Sequence, residues 1–294
     1  MKLAIIIPYF GNLTPLATYY FASCAFNAHI DFLLFTDRAK PNNLPPNVVY
    51  KKFTLKDFNT LVRKKTNQKF KLKYPYKLCD YKPLYGHVFS DYLENYDWWG
   101  YTDLDMIFSN FTSFLNESDF THFDIITARK NAFAGNFTLF KNTDKNKLLY
   151  THSDNWKHIL QNYHYVHSFP ERFKENGRKA SKNIALLSRL FWGQGKLPSK
   201  QLNDLNELVE NDTSIRVKYA DLMLSDEYFL QREITNWCLQ WKNNRFVEVV
   251  SGKEALYFHF YRVKSNKSYL IPPLKSVKQI EKIIITPKGI FFGN

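Results

Sequence analysis

An α/β fold on a mixed, mainly parallel sheet, covered by helices on both faces, is what this 294-residue sequence predicts. Three observations predict it. The chain opens as strand, loop, helix, strand, an order that calls for a crossover and hence parallel pairing. Its early strands are nearly continuous apolar runs, as strands buried on both faces must be. A further apolar run, residues 98–101, leads into Asp103-Leu104-Asp105. Sheets of this kind bind ligands at such a place, beyond the carboxyl ends of their strands.

Taken in order, residues 2–7 read as a buried strand, stopped by Pro8 and Gly11. Residues 15–28 read as a helix, with Thr14 as N-cap and Pro15 at the first helical position. Residues 31–36 form a second buried strand, ending at Thr36-Asp37. A strand at 48–53, a helix at 55–64 and a helix at 83–94 follow, the last feeding the strand at 97–101. Strands are expected at 123–127 and 135–140, and a helix at 147–161. Residues 163–216 mix aromatics with Gly193 and Gly195, with a helix at 200–210. Beyond them, 227–233 reads as a helix. Residues 235–240 and 245–250 flank Lys242-Asn243-Asn244 as a hairpin. Residues 255–262 form a last strand, alternating aromatics with His259.

Composition sets the class. Hydrophobic residues make up 45% and aromatics 17%, enough for a sizeable core. No apolar run approaches the roughly 20 residues of a membrane span. The opening MKLAIIIPYFG lacks the long apolar region and cleavage site of a signal peptide, and reads as a first strand. Cys24, Cys79 and Cys238 are odd in number and widely spaced, which suits a reducing cytoplasm and argues against a disulfide framework or a zinc site. The net charge of +14 is uneven: residues 51–82 carry eleven Lys/Arg against Asp57 and Asp80 alone. The stretch 264–288 is also basic, with Glu281 its only acid. Such patches attract phosphates, anionic lipid headgroups among them. A bland composition bias explains them equally well.

The chemistry centres on the two carboxylates. On a strand, residues i and i+2 share a face, about 6.6 Å apart along the chain. At an effective dielectric of about 20, such charges repel by roughly 2.5 kcal/mol. A fold that holds them together needs a cation between or beside them. Oxygen ligands suit Mg²⁺ or Mn²⁺, ions usually shared with substrate phosphates.

The chain resembles the nucleotide-sugar glycosyltransferases of the GT-A fold, in particular bacterial enzymes that build capsule, lipopolysaccharide and related surface glycans. The resemblance rests on YKLCDYKPLYG (76–86), WWGYTDLDMIF (98–108), GNFTLFKN (135–142), SDEYFL (225–230) and YFHF (257–260), which span the chain nearly end to end in order. It implies one catalytic domain over 1–262, nucleotide-binding to about residue 110 and acceptor-side from about 111, with a basic tail at 263–294. It implies that Asp103 faces the ribose or a metal-bound water, that Asp105 binds the divalent ion, and that His259 completes the metal shell. Pro8, Tyr9 and Phe10 then fall on the donor side and Asp37 at the nucleotide, while Asp80 and Lys82 contact the sugar or the diphosphate. Metal plus Lys82 would neutralise the departing diphosphate. The implied partners are a nucleotide-sugar donor, UDP-linked by preference, and a glycan or lipid-linked acceptor. The implied location is the cytoplasm, peripheral on the inner face of the membrane, with no nucleic acid.

Blander readings stand beside each residue. Asp residues cap turns freely, and a histidine between Phe258 and Phe260 is more often a hydrogen-bonded core residue. Ser225 can cap a helix whose first turn favours Asp226 and Glu227 electrostatically; the sharper reading makes one of them the acceptor-side acid or base. The competing functions are an effector that glycosylates proteins and a non-enzymatic nucleic-acid- or anion-binding protein, the latter without any recognisable nucleic-acid motif. A haloacid-dehalogenase-type phosphotransferase is set aside, because Met106-Ile107-Phe108 replaces the small residues it needs after its second Asp.

Overall fold

The computed structural model describes residues 1–162 and 205–293, except 131, 155 and 243. The first three strands, β1 (Leu3–Tyr9), β2 (Ile30–Thr36) and β3 (Val48–Lys52), pair in parallel, β1 against β2 and β2 against β3. β4 (Trp98–Thr102) returns to the other side of β1, again in parallel. β5 (Met106–Phe108) leaves this sheet, while β6 (Ile125–Thr127), β7 (Phe137–Lys141) and β8 (Val217–Tyr219) complete it in the order β3-β2-β1-β4-β7-β6-β8. β7 runs antiparallel to both neighbours, and the other four pairings are parallel. Because the chain moves outward from β1 to β3 and then restarts at β4, the gap between β1 and β4 is a topological switch point.

Alternation along β1 shows how both faces are covered. Leu3, Ile5 and Ile7 pack with Ala17, Tyr20 and Phe21 of α1 (Pro15–Cys24). Ala4 and Ile6 face the opposite core, with Phe58 and Val62 of α2 (Leu55–Thr66) and Tyr85 and Val88 of α3 (Tyr85–Val88). α1 is buried on its second side as well: Leu16, Tyr19 and Ala22 meet the C-terminal part of the chain. A helix enclosed on two sides needs apolar residues nearly all round, and eight of its ten residues are buried.

Two smaller sheets carry the remainder. β9 (Met223–Ser225) and β13 (Tyr257–His259) pair in parallel, and β13 pairs antiparallel with β5, giving the order β5-β13-β9. β10 (Leu239–Lys242) and β11 (Arg245–Glu248) form the expected hairpin, flanked by β12 (Glu254–Ala255) on one edge and by β14 (Ile283–Thr286) and β15 (Gly289–Phe292) on the other.

Several boundaries differ from the sequence reading. The helix expected at 83–94 is a 3-10 run, Pro75–Leu84, then α3 and a 3-10 turn, Ser90–Tyr92. Pro83 supplies no N–H for an α-helical ladder, and Gly86 lies so close to Trp99 that an added Cβ would sit 2.3 Å from the indole ring. The helix expected at 147–161 is two short helices, Asp144–Leu148 and Trp156–Gln161, separated by a 3-10 turn. The strand expected at 255–262 splits at Leu256, where the chain passes from one small sheet to the other. Of the helix expected at 200–210, Leu205–Glu210 is helical, and the earlier part, like Gly193 and Gly195, lies outside the described residues. The stretch read as a basic tail is folded: Ile283 and Ile285 are buried, and β14 pairs with β10.

Candidate active site

The switch point opens into a cavity of about 590 Å³, lined by Pro8, Tyr9 and Phe10 from the end of β1 and by Thr102–Asp105 from the end of β4. Lys82, His259, Tyr261 and Lys264 also line it. Local pairing explains the convergence. His259 pairs with Met106 across β13 and β5, next to the two carboxylates. The Phe260 amide then donates to the Asp105 carbonyl at 2.9 Å, tying the end of β13 to the Asp-Leu-Asp turn.

Asp103, Asp105 and His259 offer ligand atoms that all lie within 4.8 Å of one another. His259 Nε2 stands 3.4 Å from Asp105 Oδ1. That oxygen is buried and has no hydrogen-bond donor. An orphaned carboxylate oxygen facing an imidazole nitrogen is the arrangement a cation would complete. Two carboxylates and one imidazole are also a donor set that Mn²⁺ or Mg²⁺ accepts. The residues present therefore fit a divalent ion.

Each carboxylate already has an ammonium beside it. Lys82 Nζ donates to Asp103 Oδ1 at 2.5 Å and to the Gly135 carbonyl at 2.6 Å. Lys264 Nζ pairs with Asp105 Oδ2. Burial alone would raise the Asp105 carboxyl, but its neighbours His259 and Lys264 outweigh burial and hold it well below the usual carboxylate range. Burial works against the charge on Lys82 and Lys264 too, and Asp103 and Asp105 respectively outweigh it, so both ammonium groups are pushed up. The repulsion between Asp103 and Asp105 is thus met by lysines as well as by any metal.

The other sequence candidates fall elsewhere. Asp80 does not line the cavity; its side chain is fully buried and pairs with Lys77 at 2.6 Å, while Lys77 Nζ also donates to the Ile159 carbonyl. Lys82 lines the cavity, but its ammonium is turned onto Asp103 and Gly135 as a brace. Asp37 lies outside the lining too: its Oδ1 accepts from the Gly11 amide at 3.0 Å, holding the loop after β1, where Gly11 has φ +108°. Asp226 accepts from the backbone amides of Tyr261, Arg262 and Val263 at 2.6–2.7 Å, so both its oxygens hold that turn. Glu227 faces Arg262 at 3.4 Å. The helix expected at 227–233 is Asp226–Leu230, and Ser225 caps it as expected, accepting from the Tyr228 amide. Neither acid is among the residues that line the cavity.

Sequence reasoning passed over Lys264, which it counted as tail charge, and Asn136, which lies against His259. A signal for Lys264 existed in its position five residues past the late histidine. Asn136 sits inside GNFTLFKN, with no spacing to a charged residue that would mark it.

Residues 5–292 match the model of the family described as "Family of unknown function (DUF6625)". No curated protein matches the chain. Among solved structures it is similar to a glycosyltransferase involved in the glycosylation of the major capsid of PBCV-1, at 10% identity over 88% of this chain and 93% of that one, with a TM-score of 0.39. It is also similar to mouse xyloside xylosyltransferase 1 in its apo form, at 9% identity over 88% and 97%, with a TM-score of 0.40.

Proposed function

The chain belongs to the DUF6625 family, and we propose that it is a metal-dependent glycosyltransferase moving a sugar from a nucleotide-diphosphate sugar, UDP-linked by preference, to a glycan or lipid-linked acceptor of a bacterial surface polysaccharide. The observation that carries the reading is the meeting of Asp103, Asp105 and His259 in one cavity at the switch point of a mainly parallel sheet. The ordered motifs that resemble GT-A glycosyltransferases, two of which contain these three residues, support it as well.

In this reading Asp103, Asp105 and His259 hold Mn²⁺ or Mg²⁺, which when bound supplies Lewis-acid stabilisation of the departing diphosphate. Lys82 keeps Asp103 oriented from behind. Lys264, partly exposed at the cavity, brings a second positive charge to the same leaving group. Tyr9 and Phe10 form the apolar wall against which the nucleotide would lie, and Tyr76 and Tyr261, both exposed, also line the cavity.

Attachment to a surface draws on exposed basic residues. Lys51, Lys52, Lys56, Arg63, Lys64 and Lys69 are exposed on β3, α2 and the loop that follows. Among the described residues no helix is long and apolar enough to cross a membrane. Peripheral attachment to an anionic inner leaflet would present a lipid-linked acceptor to the site.

The decisive experiment measures hydrolysis of UDP-, GDP- and CMP-sugars with Mn²⁺, with and without EDTA, for the wild type and Asp105→Ala. Turnover should require the metal and vanish in the variant. Full turnover in EDTA, or an active Asp105→Ala protein, would sink the reading.

A further inference from the structure

His259 is held from behind by a buried polar bridge that neither the metal set nor the cavity accounts for. Tyr257 and His259 are two apart on β13 and so project to one face. Asn136, immediately before β7, spans them. Its Nδ2 lies 2.9 Å from His259 Nδ1, and its Oδ1 accepts from the Tyr257 hydroxyl at 3.1 Å. The same Nδ2 lies 3.3 Å from the sulfur of Met223 on the neighbouring strand. All three bridge residues are buried: Tyr257 at 0%, Asn136 at 2% and His259 at 7% exposure.

The chemistry of the imidazole gives this bridge a task. A neutral histidine carries one ring proton, and which nitrogen bears it is set by the partner of the other. With Asn136 donating to Nδ1, the proton sits on Nε2, towards Asp105. A histidine that ligates through Nε2 must carry its proton on Nδ1 and needs an acceptor there. A primary amide presents a donor and an acceptor on one plane, and a tyrosine hydroxyl can either give or take a hydrogen bond. Asn136 can therefore serve both forms by turning its amide over, without moving the ring.

We propose that Asn136 is the positioning residue of His259: it fixes the ring so that Nε2 faces Asp105 Oδ1, and its amide reverses when the ring changes from the Nε2–H form to the Nδ1–H form of a metal ligand. The second half rests on the metal site proposed above; the first half does not.

The test uses the full chain with ¹⁵N-labelled histidine, reading the tautomer of His259 from long-range ¹H–¹⁵N spectra, first without metal and then with saturating Mg²⁺. Mn²⁺ affinity is measured in parallel. The wild type should show Nε2–H without metal and Nδ1–H with it. Asn136→Leu should leave a mixture of tautomers and weaken Mn²⁺ binding by about 10- to 100-fold, the usual loss when the outer partner of a ligating histidine is removed. Asn136→Asp, which offers an acceptor only, should fix Nδ1–H even without metal and keep Mn²⁺ affinity within about threefold of the wild type. That rescue distinguishes positioning from a merely structural role, and it stands if the Leu variant fails to fold. An unchanged single tautomer in Asn136→Asp overturns the proposal, as does wild-type Mn²⁺ affinity in a folded Asn136→Leu. If the wild type binds no divalent ion and Asn136 variants still change the tautomer, the metal reading fails and the positioning of the ring is upheld.

Discussion

Replacing Asp80 by Asn should cost stability and leave nucleotide binding untouched. The Lys77–Asp80 pair is buried, with 2% and 0% of the two side chains exposed, and its 2.6 Å contact is joined by the bond from Lys77 to the Ile159 carbonyl. Burial already pushes the Lys77 ammonium down, with Asp80 opposing that shift. Breaking a buried pair from one side typically costs about 3–5 kcal/mol, because a charge is left uncompensated. One way out for the ammonium is to lose its proton. At pH 7, against an unperturbed pKa of about 10.4 and about 1.4 kcal/mol per unit, that costs about 5 kcal/mol, which is a ceiling consistent with the first figure. The ceiling falls as pH rises, since a lysine whose folded pKa is depressed is penalised most at low pH; near pH 9 it is about 2 kcal/mol. Urea denaturation at pH 7 and pH 9, paired with calorimetric titration of UDP and Mn²⁺, measures both sides. The double variant Lys77→Met/Asp80→Leu should recover most of the loss, as apolar replacements of buried pairs do. An Asp80→Asn protein with wild-type stability and lost nucleotide affinity would refute this reasoning and return Asp80 to the donor site.

Asp226→Asn should loosen the Tyr261–Val263 turn, since an amide cannot accept from three N–H groups as a carboxylate does. Each poorly satisfied group costs about 1–3 kcal/mol, and steady-state kinetics should show the loss mainly in the donor KM, whereas a collapse of kcat at wild-type stability and donor affinity would restore an acid–base role. Lys264→Met should weaken UDP binding and lower stability by an amount that stays level between pH 5 and pH 9. Asp105, depressed in the folded state, contributes above its unfolded pKa of about 4 and loses that as pH falls through its lowered value; Lys264, raised, contributes below about 10.4 and loses that as pH rises through its raised value. A difference that varies inside that window, followed by thermal unfolding, would contradict the pairing. Sedimentation with vesicles should show binding that needs anionic lipid, weakens at high salt and drops when Lys56, Arg63, Lys64 and Lys69 become Ser. Equal binding to neutral vesicles would leave composition as the account of the charge.

What was legible in the sequence was local. The apolar runs of β1, β2 and β4 and the turn residues between them are enough to order the parallel sheet, and the Asp-Leu-Asp turn follows from its strand. Burial and distant partners were not legible. Asp80 and Lys77 stand three apart, yet nothing in that spacing says that both are enclosed. Lys264 is 159 positions from Asp105, and only the pairing of β13 with β5 brings its turn to the carboxylate. The hairpin of β14 and β15 did have a signal, Pro287-Lys288-Gly289 between two apolar runs, which the surrounding lysines obscured when the stretch was read by charge. Two of the eleven basic residues in 51–82, Lys77 and Lys82, point inward onto acids, so the patch is weaker than its composition suggests.

The joining of Asp105 to a turn near the other end of the chain also has a meaning for biosynthesis. At about 5–20 residues per second, a ribosome needs roughly 8–30 s to travel from the aspartate to its lysine. Throughout that interval the emerging sheet can form β1 to β4, and Asp103 can find Lys82, which is made before it. Asp105 has neither imidazole nor ammonium beside it until β13 emerges and docks against β5. A product truncated or stalled before that point therefore presents a half-built pocket with both carboxylates in place, and ligand affinity becomes a readout of whether translation has run past β13 and Lys264.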